Sequence, residues 1–148
     1  MATILVIDDS ASVLEWMQEV LSKAGHRVLV SSNGTHGIMT LRKTPIDLVI
    51  TDIYMPEQDG LEVIQHARRA ASQIKVVVMS TRPLEHDLFR AATALGAVAT
   101  LRKPFSQEQL LAVVATALGA SAVNGKGAKP NAGPAGADLA LASGGNRA

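Results

Sequence analysis

Carboxylates, hydroxyls and one ammonium stand at separated points of the 148-residue chain, each directly behind a short run of branched apolar residues. Asp8 and Asp9 follow "TILVI", Asp52 follows "IDLVIT", Ser80 and Thr81 follow "IKVVVM", and Lys103 follows "AVATLR". Three carboxylates gathered in one place repel, and each has its pKa raised unless a cation shares the site. Oxygen ligands with no His or Cys among them suit a hard ion, and Mg²⁺ with its retained waters fits better than zinc or copper. An ion held by two or three carboxylates keeps open positions for a phosphate oxygen. Lys103 then supplies a second positive charge and Ser80 a hydroxyl donor. Because an ionised Asp52 has no proton to lose, phosphoryl transfer to it needs charge neutralisation and no general base.

Those residues converge only if the apolar runs are strands of one parallel sheet. Strand-like and helix-like segments alternate: "TILVI", Ser10 to Ala24, "RVLV", Thr35 to Lys43, "IDLVIT", Leu61 to Ala70, "IKVVVMS", Leu84 to Leu95, "AVATL" and Gln107 to Leu118. Five strands and five helices in alternation predict an α/β domain, a doubly wound parallel sheet with helices on both faces. Its carboxyl-terminal strand ends then lie on one edge. With the order 2-1-3-4-5, the crevice between Asp9 and Asp52 is the natural binding site. Val13, Met17, Val20, Leu21 and Ala24 recur at helical spacing, and Leu84, Leu88, Ala91, Ala92 and Leu95 repeat the pattern. Gly25 and Gly96 stand where helices stop. Ser106 reads as an N-cap with Gln109 at the third helical position. Trp16 reads as core, and the four histidines, His26, His36, His66 and His86, as surface positions without ligand spacing.

Composition bounds the possibilities further. Nearly half the residues are apolar and the net charge is +1 with scattered basic residues, which predicts one soluble domain and no direct nucleic-acid partner. The absence of cysteine excludes disulfides, thiol nucleophiles and thiolate zinc sites. No signal-like amino terminus is visible, and "LLAVVATALGASAV" is too short to span a bilayer, so a cytoplasmic location without membrane insertion is expected. Residues 1–118 read as the domain and 119–148, rich in Gly, Ala, Pro and Asn, as a flexible tail.

The residues from about Ala2 to Leu118 resemble the receiver domain of bacterial two-component response regulators, of the stand-alone single-domain type. The acid pair in "VIDDS", the acceptor in "LVITDIYMPEQDGLEVI", the hydroxyl in "VVVMST" and the lysine in "LRKPF" carry the resemblance. It implies a flavodoxin-like fold of order 2-1-3-4-5 and phosphorylation of Asp52 by a phosphohistidine on a sensor histidine kinase or phosphotransfer protein. It implies Mg²⁺ held by Asp9, Asp52 and the backbone carbonyl of Tyr54, with Asp8 acting through a water. Ser80 and Lys103 would hold the phosphoryl group, and the Lys103-Pro104 bond would be cis. The chain would be an acceptor rather than an enzyme, signalling by phosphorylation-dependent binding of a downstream protein as a monomer or weak dimer.

Some positions depart from the family pattern. Ser80 is taken as the switch hydroxyl, while spacing back from Gly96 and Lys103 also admits Thr81. Thr100 occupies the position of the family's switching aromatic residue, and Tyr54 and Arg82 stand where the family tunes water access. Asp59-Gly60 reads as a turn with a permissive glycine. Phe89 on the fourth helix and Ala112, Ala115 and Thr116 on the fifth are candidate contact surfaces. A degenerate receiver that binds without phosphorylation is the alternative. A phosphatase with an aspartate nucleophile after strand one requires a second Asp two residues on, where Ser10 stands. A flavin or dinucleotide carrier requires a phosphate loop in place of "DDSAS".

Overall fold

The structure, a computed structural model, describes residues 1–55, 60–71, 73–81 and 85–122. Five strands, β1 (Thr3–Ile7), β2 (Arg27–Ser31), β3 (Leu48–Asp52), β4 (Lys75–Ser80) and β5 (Ala97–Arg102), alternate with α1 (Ala11–Lys23), α2 (Gly34–Lys43), α3 (Gly60–Ala70), α4 (His86–Ala94) and α5 (Gln107–Ala122). All strand pairs are parallel and the order is β2-β1-β3-β4-β5, as expected. Runs such as Leu48 to Ile50 and Val76 to Met79 are apolar at every position because both faces of the sheet are covered.

Period two divides each strand between two cores. Ile4, Val6, Leu48, Ile50, Val77, Met79 and Leu101 face α1 and α5, meeting Leu14, Met17, Leu21, Leu110 and Val114. Leu5, Ile7, Val49, Val76 and Val78 face α2, α3 and α4, meeting Ile38, Leu41, Val63, Ile64 and Ala92. Burying one such side chain fully stabilises the fold by about 1.5–3 kcal/mol.

Helix ends follow local chemistry. Ser10 caps α1 by accepting from the Val13 N–H at 3.4 Å, and Asn33 caps α2 by accepting from the His36 N–H at 2.8 Å. Ser106 and Gln109 bond reciprocally, at 3.1 Å to the Gln109 N–H and 2.8 Å from the Ser106 N–H, forming a capping box ahead of α5. Gly25 (φ +99°) and Gly96 (φ +113°) lie in the left-handed region that ends a helix.

The structure corrects some readings. Helix α5 continues to Ala122, four residues past Leu118, because the strong helix formers Ala117, Leu118 and Ala120 around Gly119 offset its cost of about 1 kcal/mol. From Val123 onward the tail lies outside the described residues, as do Asp59, Arg82 and Leu84. Trp16 is not core: it is 37% exposed and packs against Phe105 at a tilt of 49°, with ring centroids 5.7 Å apart. On α1 the buried phase is Leu14, Met17, Val20 and Leu21, and Trp16 falls outside it. His36 and His86 are exposed, whereas His26 and His66 are half-buried.

His26 carries a pH signature. Its Nδ1 accepts from the Ala2 N–H at 3.2 Å, and burial, aided by the charged amino terminus, lowers its pKa. The folded chain therefore resists a proton that the unfolded chain takes near pH 6.5. Its stability contribution is complete above that pH and is lost as pH falls through the lowered folded value. Urea midpoints at pH 8 and pH 5.5 should drop less in His26→Gln than in the parent; equal drops would refute the assignment.

Candidate functional site

The pleat decides which side chains meet at the carboxyl-terminal edge of the sheet. Val6, Ile50, Met79 and Leu101 all face α1 and α5, and two residues beyond each stands Asp8, Asp52, Thr81 and Lys103 respectively. Ser80 instead follows the phase of Val78, which faces α2, α3 and α4. The register agrees, since Asp52 pairs with Met79 and Met79 with Leu101. Ser80 is buried, pairs with Arg102, and its carbonyl accepts from the Lys103 N–H at 2.8 Å. Of the two hydroxyls, Thr81 shares the phase of the acids and lines one groove with Lys103.

Lys103 ties the cluster together. Its Nζ lies 2.5 Å from Asp8 Oδ2 and 3.0 Å from Asp52 Oδ2. The second oxygen of each acid accepts a backbone N–H, Ser10 to Asp8 Oδ1 at 2.8 Å and Tyr54 to Asp52 Oδ1 at 3.2 Å. Asp8 is 0% and Asp52 7% exposed, while Asp9 is exposed at the rim. Carboxylate oxygens of Asp8, Asp9 and Asp52 all lie within 4.8 Å of one another. Burial raises the pKa of Asp52, helped by the charge of Asp8 and opposed by Lys103 and the Tyr54 N–H. Burial acts to lower the pKa of Lys103, but its bonds to the two carboxylates prevail and raise it.

Other parts set the position of Asp52. Gly60 begins α3, and a Cβ there would lie 2.8 Å from Ile53 Cα and 2.9 Å from the Asp52 carbonyl oxygen. Its role is thus close approach of α3 to the end of β3, rather than the permissive turn backbone expected. The Lys103-Pro104 peptide is cis. Thr100 lies in β5 opposite Val78, so strand five carries no aromatic residue at that position.

A donor set of carboxylates alone, half closed by one lysine, suits a hard divalent cation such as Mg²⁺ and the oxygens of a phosphoryl group. The fold and this edge together define a doubly wound domain with an acidic crevice, closed by one lysine, between its first and third strands. The family model of the response regulator receiver domain matches residues 4–115, and the chain belongs to that family.

Relatives fit this assignment. The DNA-binding transcriptional regulator NtrC of Azospirillum brasilense is 32% identical over 117 residues, covering 79% of this chain and 24% of that protein. The chain thus spans about a quarter of that relative's length. The chemotaxis protein CheY4 of Vibrio cholerae superposes with a TM-score of 0.75 at 28% identity, over 80% of this chain and 99% of that one. The response regulator TrrA of Thermotoga maritima, solved in complex with Mg²⁺-BeF, gives 0.69 at 28% identity, over 77% and 96%. Among the described residues no helix is long and apolar enough to cross a membrane.

Proposed function

We propose that this receiver accepts a phosphoryl group on Asp52 from the phosphohistidine of a sensor histidine kinase or phosphotransfer protein, and signals through a downstream protein in the cytoplasm. The observation that carries this reading is the bridge from Lys103 Nζ to both Asp8 Oδ2 and Asp52 Oδ2, with Asp9 beside them. A cation bound to the acceptor in the resting state stands ready to hold the oxygens of the arriving group. The Asp52 oxygen forms the new bond to phosphorus while the bond from phosphorus to the donor breaks. Asp8 anchors Lys103 through the transfer. Mg²⁺, held by Asp9, Asp52 and the Tyr54 carbonyl with Asp8 through a water, would supply the remaining neutralisation of the transferring oxygens. That TrrA was solved in complex with Mg²⁺-BeF supports Mg²⁺ binding on this fold. The chain acts here as an acceptor, not as an enzyme turning over a substrate.

The switch hydroxyl is assigned to Thr81 in place of Ser80, because only Thr81 follows the strand phase of Asp52 and Lys103. Intact mass after incubation with acetyl phosphate tests the whole reading: one phosphoryl mass should appear with Mg²⁺ and not without it. In the same assay Thr81→Ala should slow phosphorylation about tenfold or more, the cost of losing one hydrogen bond to a charged group. Ser80→Ala should change the rate less than about twofold. The reverse order would return the role to Ser80, and absence of any mass gain would favour a receiver that binds partners without phosphorylation.

A further inference from the structure

Lysines and arginines that lie scattered along the sequence are gathered by the fold. Each helix of a parallel sheet runs back from the carboxyl-terminal edge, so helix ends and the starts of the following strands meet at the amino-terminal edge. There stand Lys23 at the end of α1, Arg42 and Lys43 at the end of α2, Arg69 near the end of α3, and Arg27 and Lys75 opening β2 and β4. Arg68 joins them but donates to the Ile74 carbonyl. The acid described at this edge, Asp47, accepts the Thr3 N–H at 2.8 Å, and Glu19, one turn before the end of α1, pairs with Lys23 at 3.1 Å. Asp8, Asp9, Asp52, Glu62, Asp87 and Glu108 stand at or beside the opposite edge. A net charge of only +1 thus conceals two poles of opposite sign.

Helix dipoles draw cations to carboxyl ends, but that is only part of the account. Helices α4 and α5 end at the same edge with no basic residue in the last turn, and Arg27 and Lys75 belong to strands. Arg27, Arg42, Lys43 and Arg69 are exposed. Across the order β2-β1-β3-β4, Arg27 and Lys75 are three strand spacings apart, about 14 Å, so the charges form a broad plane and not a groove. Past Ala122, Lys126 and Lys129 follow with no acid before Asp138, and seven residues reach at most about 25 Å from that edge. We infer that this edge lies on an anionic lipid leaflet, with the acidic crevice turned away towards solution. The inference does not depend on Asp52 being a phosphoryl acceptor. The acidic pole does not cancel the attraction, since a five-residue strand holds the two edges about 16 Å apart, twice the Debye length of about 8 Å. A nucleic acid is the poorer fit: Trp16, Tyr54 and Phe105 stand at the other edge, so no stacking platform joins the basic set. All five helices also turn their carbonyl ends this way and offer no amino terminus to a phosphate. Point charges on a plane suit fluid headgroups, which rearrange around them, and Met1, 93% exposed beside β1, adds an apolar side chain for the interface.

Cosedimentation of the full chain with vesicles of phosphatidylcholine, with and without phosphatidylglycerol, tests this. Binding should require phosphatidylglycerol and weaken as salt is raised. Each basic residue at the surface is worth about fivefold in partitioning, so Arg42→Gln/Arg69→Gln should weaken binding about twenty- to thirtyfold. Arg90→Gln/Arg102→Gln removes the same net charge from exposed positions away from this edge, and it should cost less than about twofold because screening isolates it from the leaflet. Orientation has its own readout. Trp16, the sole tryptophan, lines the groove beside Lys103 at the far edge, so brominated acyl chains in the vesicles should leave its fluorescence unchanged in the bound chain. Equal losses in the two double variants, or quenching of Trp16, would mean that the chain does not land on this edge. No binding to phosphatidylglycerol vesicles would overturn the inference outright. Binding to duplex DNA instead, with the same dependence on Arg42 and Arg69, would keep the basic pole and replace its partner.

Discussion

Lys103→Met is expected to cost about 3–5 kcal/mol of folding stability at neutral pH, the penalty for leaving a buried charge without its partner. Asp8 is wholly buried, Asp52 nearly so, and one ammonium lies against both. Removing it leaves two carboxylates side by side, each holding a single backbone N–H bond from Ser10 or Tyr54. Those two bonds cannot offset the repulsion. An exposed ion pair such as Glu19–Lys23 on α1 is the useful contrast, since breaking that one should cost well under about 1 kcal/mol. Urea denaturation of Lys103→Met and of the Lys103→Met/Asp52→Asn double variant checks the cause. The double variant should regain more than half of the lost stability, because a neutral amide no longer repels Asp8. A cost below about 1 kcal/mol in the single variant would mean that the acids are hydrated or protonated in the folded chain.

Asp52→Asn should abolish phosphoryl incorporation, by more than about a thousandfold, because an amide offers no anionic oxygen to phosphorus. The fold should survive. Asp8 keeps Lys103, and the charge whose burial raised the Asp52 pKa has gone, so thermal stability should hold or rise. Intact mass after acetyl phosphate with Mg²⁺, read beside the melting temperature, separates loss of the nucleophile from loss of the fold. A phosphoryl mass retained in a folded Asp52→Asn chain would shift the acceptor to Asp8 or Asp9. That outcome is disfavoured on structural grounds, since Asp8 is wholly buried and Asp9 lies at the solvent rim.

Much of this arrangement was legible in the residues. Alternation of β-branched runs with helical periodicity yields the parallel α/β fold, because a sheet buried on both faces needs continuous apolar strands such as "LVI" and "VVVM". The four motifs then carried the strand order and the convergence of Asp8, Asp9, Asp52 and Lys103. The rest depended on phase and packing. Ser80 and Thr81 are adjacent hydroxyls that counting back from Lys103 leaves open, and the side of the sheet taken by Met79 is what favours Thr81 in the proposed reading. Trp16 is hydrophobic and sits on an amphipathic helix, yet it falls outside the Leu14, Met17 and Leu21 phase. Gly60 is a matter of packing, since its need arises from the Asp52 carbonyl 2.9 Å from where a Cβ would lie. No local pattern encodes that distance.

The lysine that completes the cluster comes 95 residues after Asp8 and 51 after Asp52. Strands β1, β3 and β4 can pair before β5 arrives, but until then the two inner acids lack their cation. Pairing over such separations is slow because loop closure precedes its reward. The docking of β5 therefore both closes the edge of the sheet and neutralises its charge. During synthesis the acids emerge first and the lysine last, so a growing chain that has not yet released residue 103 holds its two inner acids without their cation, and the site is complete only with the final strand.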